Sequence, residues 1–321
     1  MTNAKPMTLT AKPAGSRSET IAFVAMAVLL LVAPSFLYPV FLMKALCFAL
    51  FACAFNLLIG YVGLLSFGHA LYFGWASYVS AYAAKFWGFN PEFAILLGAM
   101  AGAALGLIAG SLAIRRQGIY FAMITLALAQ MMFFFAVQAP FTGGEDGIQS
   151  VPRGWLFGLI DLREPTNMYF TVLAVFLGGF LIIYRIIHSP FGEVLKAIRE
   201  NEARAISLGY KTDRYKLMAF VLSATFAGVA GATKALVFQL ASLTDVDWPM
   251  SGEVVLMTLV GGLGTVFGPV AGAFFIVTLE NYLTQIGSWV FVIQGGIFVA
   301  CVLLFRRGII GELANKLRIR L

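Results

Sequence analysis

Val40–Ile59 reads VFLMKALCFALFACAFNLLI, a run in which Lys44 is the one charged residue. The hydrocarbon core of a bilayer is about 30 Å thick, and a helix crosses it with roughly 20 mostly apolar residues. This stretch meets that requirement. Working outward, comparable runs fall near 20–38, 67–87, 92–114, 118–138, 168–187, 215–238, 250–263, 267–281 and 288–305. The sequence predicts an all-α fold, a polytopic membrane helical bundle of about ten transmembrane segments. The eighth and ninth runs are short, separated by Gly261, Gly262, Gly264, Gly268 and Pro269, and read either as two short helices or as one broken helix. Composition agrees with a lipid solvent. Of 321 residues 60% are hydrophobic and 12% charged, whereas a soluble domain carries about 25% charged residues. Half that figure leaves too little polar surface to cover a water-exposed body.

Residues 1–18 hold no apolar run and read as a disordered cytoplasmic tail; 19–306 form the transmembrane domain and 307–321 a second tail. The first run, Ile21–Tyr38, is too long for the apolar part of a secretory signal, and Pro34 and Pro39 stand where a small-residue cleavage site would be. It reads as a retained span. Cys47, Cys53 and Cys301 lie inside apolar runs without metal-ligand spacing and read as small buried hydrophobes.

Charge sets the expected orientation. With ten spans and a cytoplasmic N-terminus, 17 of the 22 basic residues fall on the inner side, among them Arg115, Arg116, Lys196, Arg199, Arg204, Arg306 and Arg307. Cytoplasmic loops carry such an excess, so both termini are expected inside. Glu145, Asp146, Asp161, Glu164, Asp245 and Asp247 then lie outside or near the outer ends. The net charge of +7 follows from this topology and does not argue for a nucleic-acid partner. Within the spans, Gly98, Gly102, Gly106 and Gly110 recur at every fourth position, and Gly228 and Gly231 stand three apart. Small residues so spaced let helix backbones approach in lipid.

Chemical motifs are absent. The sequence has no GxxxxGK[ST], HExxH or GxSxG, and only two histidines, His69 and His188. No catalytic residues, no metal site and no bound cofactor are expected. Ion-driven carriers keep ionisable groups deep in the bilayer. Here Lys44, Lys234, Glu253 and Glu280 fall near the ends of the expected spans, where long side chains reach water.

Two soluble segments remain. The outer one, about 139–167, contains the turn-rich Thr142–Gly147. The inner one, about 188–214, is the most charged stretch of the chain. Val194, Leu195 and Ile198 share a helical face, Glu200 precedes Arg204 by four, Gly209 suits a left-handed helix stop, and Thr212 or Asp213 is placed to cap the next span. An amphipathic helix facing the cytoplasm needs an apolar surface to lie on, either the bilayer or a partner protein. Two glycine-rich turns complete the pattern, one with Gly60, Gly63, Ser66, Gly68 and His69, the other with Gly261, Gly262, Gly264, Gly268 and Pro269. They read as tight turns or as helix breaks lining a pathway, which membranes tolerate only where protein or water satisfies the backbone.

Four passages carry a resemblance: Gly60–Tyr78, Leu112–Gln130 with Thr142–Ile148, Phe191–Gly231 and Gly261–Ala273. They resemble the membrane subunits of branched-chain amino-acid ABC importers, the LivM-like permeases. The resemblance implies an inner-membrane permease without an ATPase site of its own. It would pair with a second, related permease chain. Two cytoplasmic ATPase subunits, which use ATP and Mg, and a periplasmic substrate-binding protein complete the importer. It also implies that Glu200, Glu202, Ala203, Arg204, Ala205, Leu208 and Gly209 form the element coupling the spans to the ATPase. General ABC importers carry Glu-Ala-Ala-x-x-x-Gly there. In this chain Ala203, Arg204 and Ala205 take the first three places before Gly209, with Glu202 one place early. Glu145, Asp146, Asp245 and Asp247 would meet the binding protein, and Phe67, Tyr72, Phe73 and Trp75 would give an aromatic path for hydrophobic substrates. Related permeases serve urea, amides or aromatic acids, and an ion-coupled carrier or a non-transport membrane protein is the alternative from the residues alone.

Overall fold

In the computed structural model, which describes residues 17–283, 293, 295, 296, 299 and 308–317, the chain is a helical bundle. Its long helices are α1 (Arg17–Val32), α2 (Pro39–Ile59), α3 (His69–Phe86), α4 (Pro91–Ala113), α5 (Ile119–Gln138), α6 (Pro165–Ile187) and α9 (Thr212–Phe238). Between α6 and α9 lie the short α7 (Pro190–Glu200) and α8 (Glu202–Ser207); α10 (Trp248–Gly261) and α11 (Gly268–Leu283) follow α9. Among the described residues five helices, α2, α4, α5, α6 and α9, are long and apolar enough to cross a bilayer. The expected tail 1–18 and the tenth span at 288–305 lie largely outside the described residues.

Proline and glycine place the helix ends. Pro39, Pro91, Pro165 and Pro190 each stand at the first helical position, where their fixed φ is preorganised and the missing N–H has no helical partner to lose. Helix α2 is mostly apolar and, half-buried Lys44 apart, is buried from Leu42 to Leu58. It forms the centre, with α6, α9, α10 and α11 around it.

Apolar burial does not drive helices together in lipid, because the tails are as apolar as leucine; close packing does. The glycine stripe of α4 meets α9 on that principle. A methyl group at Gly98 would lie 2.6 Å from Ala232 Cβ, one at Gly102 2.7 Å from the Ala224 oxygen, and one at Gly106 2.5 Å from Ala224 Cβ. Gly231 faces α3, where a methyl would collide with the Phe73 carbonyl. Gly231→Ala is accordingly expected to destabilise the chain by about 1–3 kcal/mol, the usual range for overpacking. Gly178→Ala, with open space around it, is expected to be neutral or slightly stabilising. Thermal unfolding of both variants in detergent checks the pair, and equal midpoints would refute the close α3–α9 contact.

The eighth and ninth runs are two helices. Helices α10 and α11 fold back on each other across the turn at 262–267, with Gly272 against Met257 and Gly261 against Gly268. At 14 residues α10 extends only about 21 Å, less than the hydrocarbon core. Gly262 and Gly264 have φ of +127° and +73°, a region that side chains rarely adopt.

Two features place the ends of the described chain. Glu19, in the first turn of α1, accepts from Tyr184 Oη at 2.8 Å and lies 3.5 Å from His188, directly before α7. The helix Gly308–Leu317 packs Gly308 onto the backbone of Gly261 and Gly262. Both ends of the described chain thus lie on the face that carries α7 and α8. Within the expected C-terminal tail 307–321, residues 308–317 form that helix, docked on the bundle. On the opposite face, β1 (Ile148–Gln149) pairs antiparallel with β4 (Leu240–Ala241), and β2 (Trp155–Leu156) pairs with β3 (Ile160–Asp161) as a hairpin.

Candidate functional site

The motifs singled out in the sequence converge at one end of the bundle. Asn56, one turn before the end of α2, is buried and reaches across to the second glycine turn. Its Nδ2 donates to the Thr265 oxygen at 2.9 Å, and its Oδ1 accepts from Gly264 N at 3.0 Å. The two glycine turns, about 200 residues apart in sequence, are therefore one structural unit. Arg199, in the last turn of α7, closes it: its guanidinium donates to the Gly60 carbonyl, and a methyl at Gly264 would lie 3.2 Å from its Nη1. The Arg199 stem also passes Gly63, whose φ is +82°.

The charged segment is two helices, not one. Ser189 caps α7 by accepting from Gly192 N at 3.3 Å, and Asn201 caps α8 by accepting from Arg204 N at 3.0 Å. The extended backbone at Asn201 (φ −158°, ψ 96°) separates the helices, so Glu200 and Arg204 do not sit on one helix and the expected i,i+4 pair is corrected. Thr212 and Asp213 do not cap α9 either; Lys211 occupies that position, without a side-chain cap bond. Gly209 does stop α8 with φ of +91°.

Glu202 turns back toward the bundle. It pairs with buried Lys216 of α9 at 2.5 Å and accepts from Gln117 Nε2 at 2.8 Å. Ala205 is buried beneath α8. These two residues fasten the segment, while Ala203, Arg204, Ile206, Leu208 and Tyr210 are exposed. Ile206 was not among the expected residues; it is 56% exposed and Leu208 72% exposed, an apolar edge on a charged segment.

The first break begins α3 inside the protein. Its entry is held by hydroxyls from three helices. Phe67 N donates to Thr125 Oγ1 (3.2 Å), Ala70 N to Ser251 Oγ (2.9 Å), and His69 Nε2 meets Ser223 Oγ (2.8 Å). Ser223 Oγ donates to the Ala54 oxygen, so it accepts from His69, and His69 carries its proton on Nε2. Ser66 and His69 are fully buried. Beside this break a cavity of about 450 Å³ opens between the 63–67 segment and α5, lined by Gly63, Leu64, Phe67, Ile119, Phe121 and Leu126. Of the expected aromatic path only Phe67 borders it. Tyr72 and Phe73 are buried in helix packing, Phe73 stacked on Phe51 at 4.5 Å, and Trp75 donates to the Met132 oxygen.

On the far face Glu145 and Asp146 are exposed, and Asp247 caps α10 through Trp248 N at 2.7 Å. Asp245 is corrected as a docking residue: it is buried, and both carboxylate oxygens accept from Lys234 at 2.6 and 2.5 Å. Lys44 likewise pairs with Glu280 at 3.2 Å. Residues read as solvated span ends are instead paired within the bundle, since a charge without a partner is costly there. Arg153, half-buried in the far segment, donates to the Val237 oxygen at 2.7 Å, and burial lowers its pKa.

The family model described as "Branched-chain amino acid transport system / permease component" matches residues 39–302. The chain is 25% identical over 288 residues to the high-affinity branched-chain amino acid transport system permease protein LivM of Salmonella typhimurium, covering 83% of this chain and 68% of that protein. The Escherichia coli LivM matches to the same extent. The ribose import permease protein RbsC of Bacillus subtilis is 30% identical over 203 residues, 56% of this chain and 58% of that protein. No solved structure matches at a significant level.

Proposed function

The chain belongs to the permease-component family of branched-chain amino acid transport systems, and from that premise we propose that it is the membrane-spanning half of an ATP-driven importer for branched-chain or similar hydrophobic amino acids. A second permease chain completes the pathway, two ATPase subunits using ATP and Mg drive it, and a periplasmic binding protein delivers the substrate. The chain itself binds no cofactor. In this reading α7–α8 faces the cytoplasm of a bacterial inner membrane, and both termini lie on that side.

One observation carries the reading. The segment 190–209 is fastened to the bundle by Arg199, Glu202 and Ala205, yet presents Ile206, Leu208 and Tyr210 outward. Such an apolar edge lies against the bilayer or a partner protein, and membership of an importer permease family favours the partner. Held as it is, α8 transmits a push from an ATPase through Glu202 and Lys216 to α9, and through Arg199 to both glycine turns. Nucleotide moves these helices only to the extent that it binds one arrangement better than the other. Of the residues assigned to coupling, Ala203, Arg204, Leu208 and the added Ile206 contact the partner, and Glu200 and Gly209 border them. Gly63, Ser66, Gly68 and His69, with Gly261, Gly262, Gly264, Gly268 and Pro269, form the hinge region. The apolar cavity beside Phe67 suits a hydrophobic side chain, which supports amino acids over sugars. Glu145, Asp146 and Asp247 remain the residues offered to the binding protein.

Ile206→Asp with Leu208→Asp is expected to abolish co-purification of the ATPase while leaving the chain inserted and folded, and deletion of Glu200–Gly209 to do the same. ATPase capture and uptake at wild-type levels in both would overturn the coupling assignment. The buried Lys234–Asp245 pair and the half-buried Lys44–Glu280 pair favour a second reading, an ion-coupled carrier. Uptake that survives ATP depletion and collapses with an uncoupler would select it.

A further inference from the structure

We propose that the hairpin β2–β3, on the face opposite α7–α8, is a lipid anchor that lies in the headgroup layer and inserts Phe157 and Leu159 toward the acyl chains. The hairpin is built to hold its tip outward. Phe157 and Gly158 have φ of +49° and +71°, and Leu159 N donates to the Leu156 oxygen at 3.0 Å. This is a tight two-residue turn of the mirror-image type that matches strand twist. It displays Trp155, Phe157, Leu159 and Ile160, with Leu159 82% and Phe157 71% exposed. Such an apolar tip on a solvated loop needs an occupant.

Continuity with the lipid-facing side of α4 identifies it. Phe157 N points at Glu92 Oε2 (3.4 Å), and Gly154 lies against the Pro91 ring, so the hairpin rests on the first turn of α4. Below Glu92, on the same helical side, Phe93, Leu96, Met100 and Leu107 are exposed, a stripe of large apolar residues on a helix long enough to cross the membrane. The α3–α4 turn extends this stripe upward through a chain of rings, Trp87 to Phe89 at 5.7 Å and Phe89 to Phe93 at 6.5 Å. Depth agrees. Arg115 and Arg116 follow the other end of α4 and mark one membrane edge. From Ala113 back to Pro91 the helix rises about 33 Å, which places Pro91 just beyond a hydrocarbon core of about 30 Å. That is the level where amphipathic aromatic residues settle. The 139–164 segment therefore divides its work: its first half presents Glu145 and Asp146 to water, and its second half seats in lipid.

The test uses the full chain in phosphatidylcholine–phosphatidylglycerol vesicles. Cys47 and Cys53 are buried, and Cys301 is replaced by alanine. Phe157→Cys, Leu159→Cys and Glu145→Cys each receive a nitroxide, and collision with dissolved oxygen is compared with collision with a water-soluble nickel chelate. The expected result is several-fold preference for oxygen at 157 and 159, the reverse at 145, and no change when the loaded binding protein is added. Access of the chelate to 157 and 159 equal to that at 145 would overturn the proposal. Shielding of those sites only on addition of the binding protein would also overturn it, and would make the tip a protein-docking surface.

Discussion

Asp245→Asn is expected to destabilise the chain by about 3–5 kcal/mol, the range measured when one partner of a buried ion pair is removed. Lys234 and Asp245 have side chains 12% and 2% exposed and meet at 2.5 Å. The lysine lies in the last turns of α9, and the aspartate ends the short helical turn Leu243–Asp245 before α10. Asparagine keeps the shape and leaves an ammonium without its counter-charge. Lys234→Met is expected to do similar damage in the opposite sense. The double variant Lys234→Met/Asp245→Leu removes both charges and is expected to recover most of the loss, because well-packed apolar residues replace a buried pair at little net cost. Thermal unfolding in detergent of the parent, Lys234→Met, Asp245→Leu and the double variant gives the coupling energy directly. Single variants within about 1 kcal/mol of the parent, a size typical of exposed pairs, would show that the pair is solvated.

Arg199→Ala is expected to reduce substrate uptake and substrate-stimulated ATP hydrolysis at least tenfold while the ATPase still co-purifies. Arg199 is the charged side chain of α7 that touches both glycine turns, through the Gly60 carbonyl and beside Gly264. A hydrogen bond to a charged group contributes about 1.5–3 kcal/mol. If the bond exists in one arrangement of the bundle and not the other, its loss shifts their ratio by about 10- to 100-fold. The docking edge at Ile206 and Leu208 is untouched, so partner binding survives. Arg199→Lys is expected to restore part of the activity, since a point charge holds Gly60 without the planar fork that also spans Gly264. Uptake within twofold of the parent in Arg199→Ala would sink the idea that this contact carries the motion.

Helix positions were legible because each is written locally. Apolar length, a proline at the first position and a glycine at the stop act within a few residues, and the runs near 40–59, 92–114, 118–138 and 215–238 fall within a few residues of α2, α4, α5 and α9. The glycine stripe of α4 was legible for the same reason, since a four-residue period faces one neighbour whichever helix that is. The charged stretch at 188–214 announced itself as amphipathic structure. Its internal break was missed: Asn201 as a cap competes with continuation of one helix, and the side chain of Asn201 bonding Arg204 N decides for the break.

Sequence by itself determined the helical class, the approximate limits of most long helices, and the segment set apart from them, all consequences of chain-local hydrophobicity and backbone preference. Only the tertiary structure decided that Lys234 neutralises Asp245, that Lys44 meets Glu280 from 236 positions away, and that Asn56 and Arg199 weld two distant glycine turns into one unit. The reason is physical: a charge or an open backbone group inside a bundle must find a partner, but which partner depends on where the other helices stand, and no short window of sequence contains that.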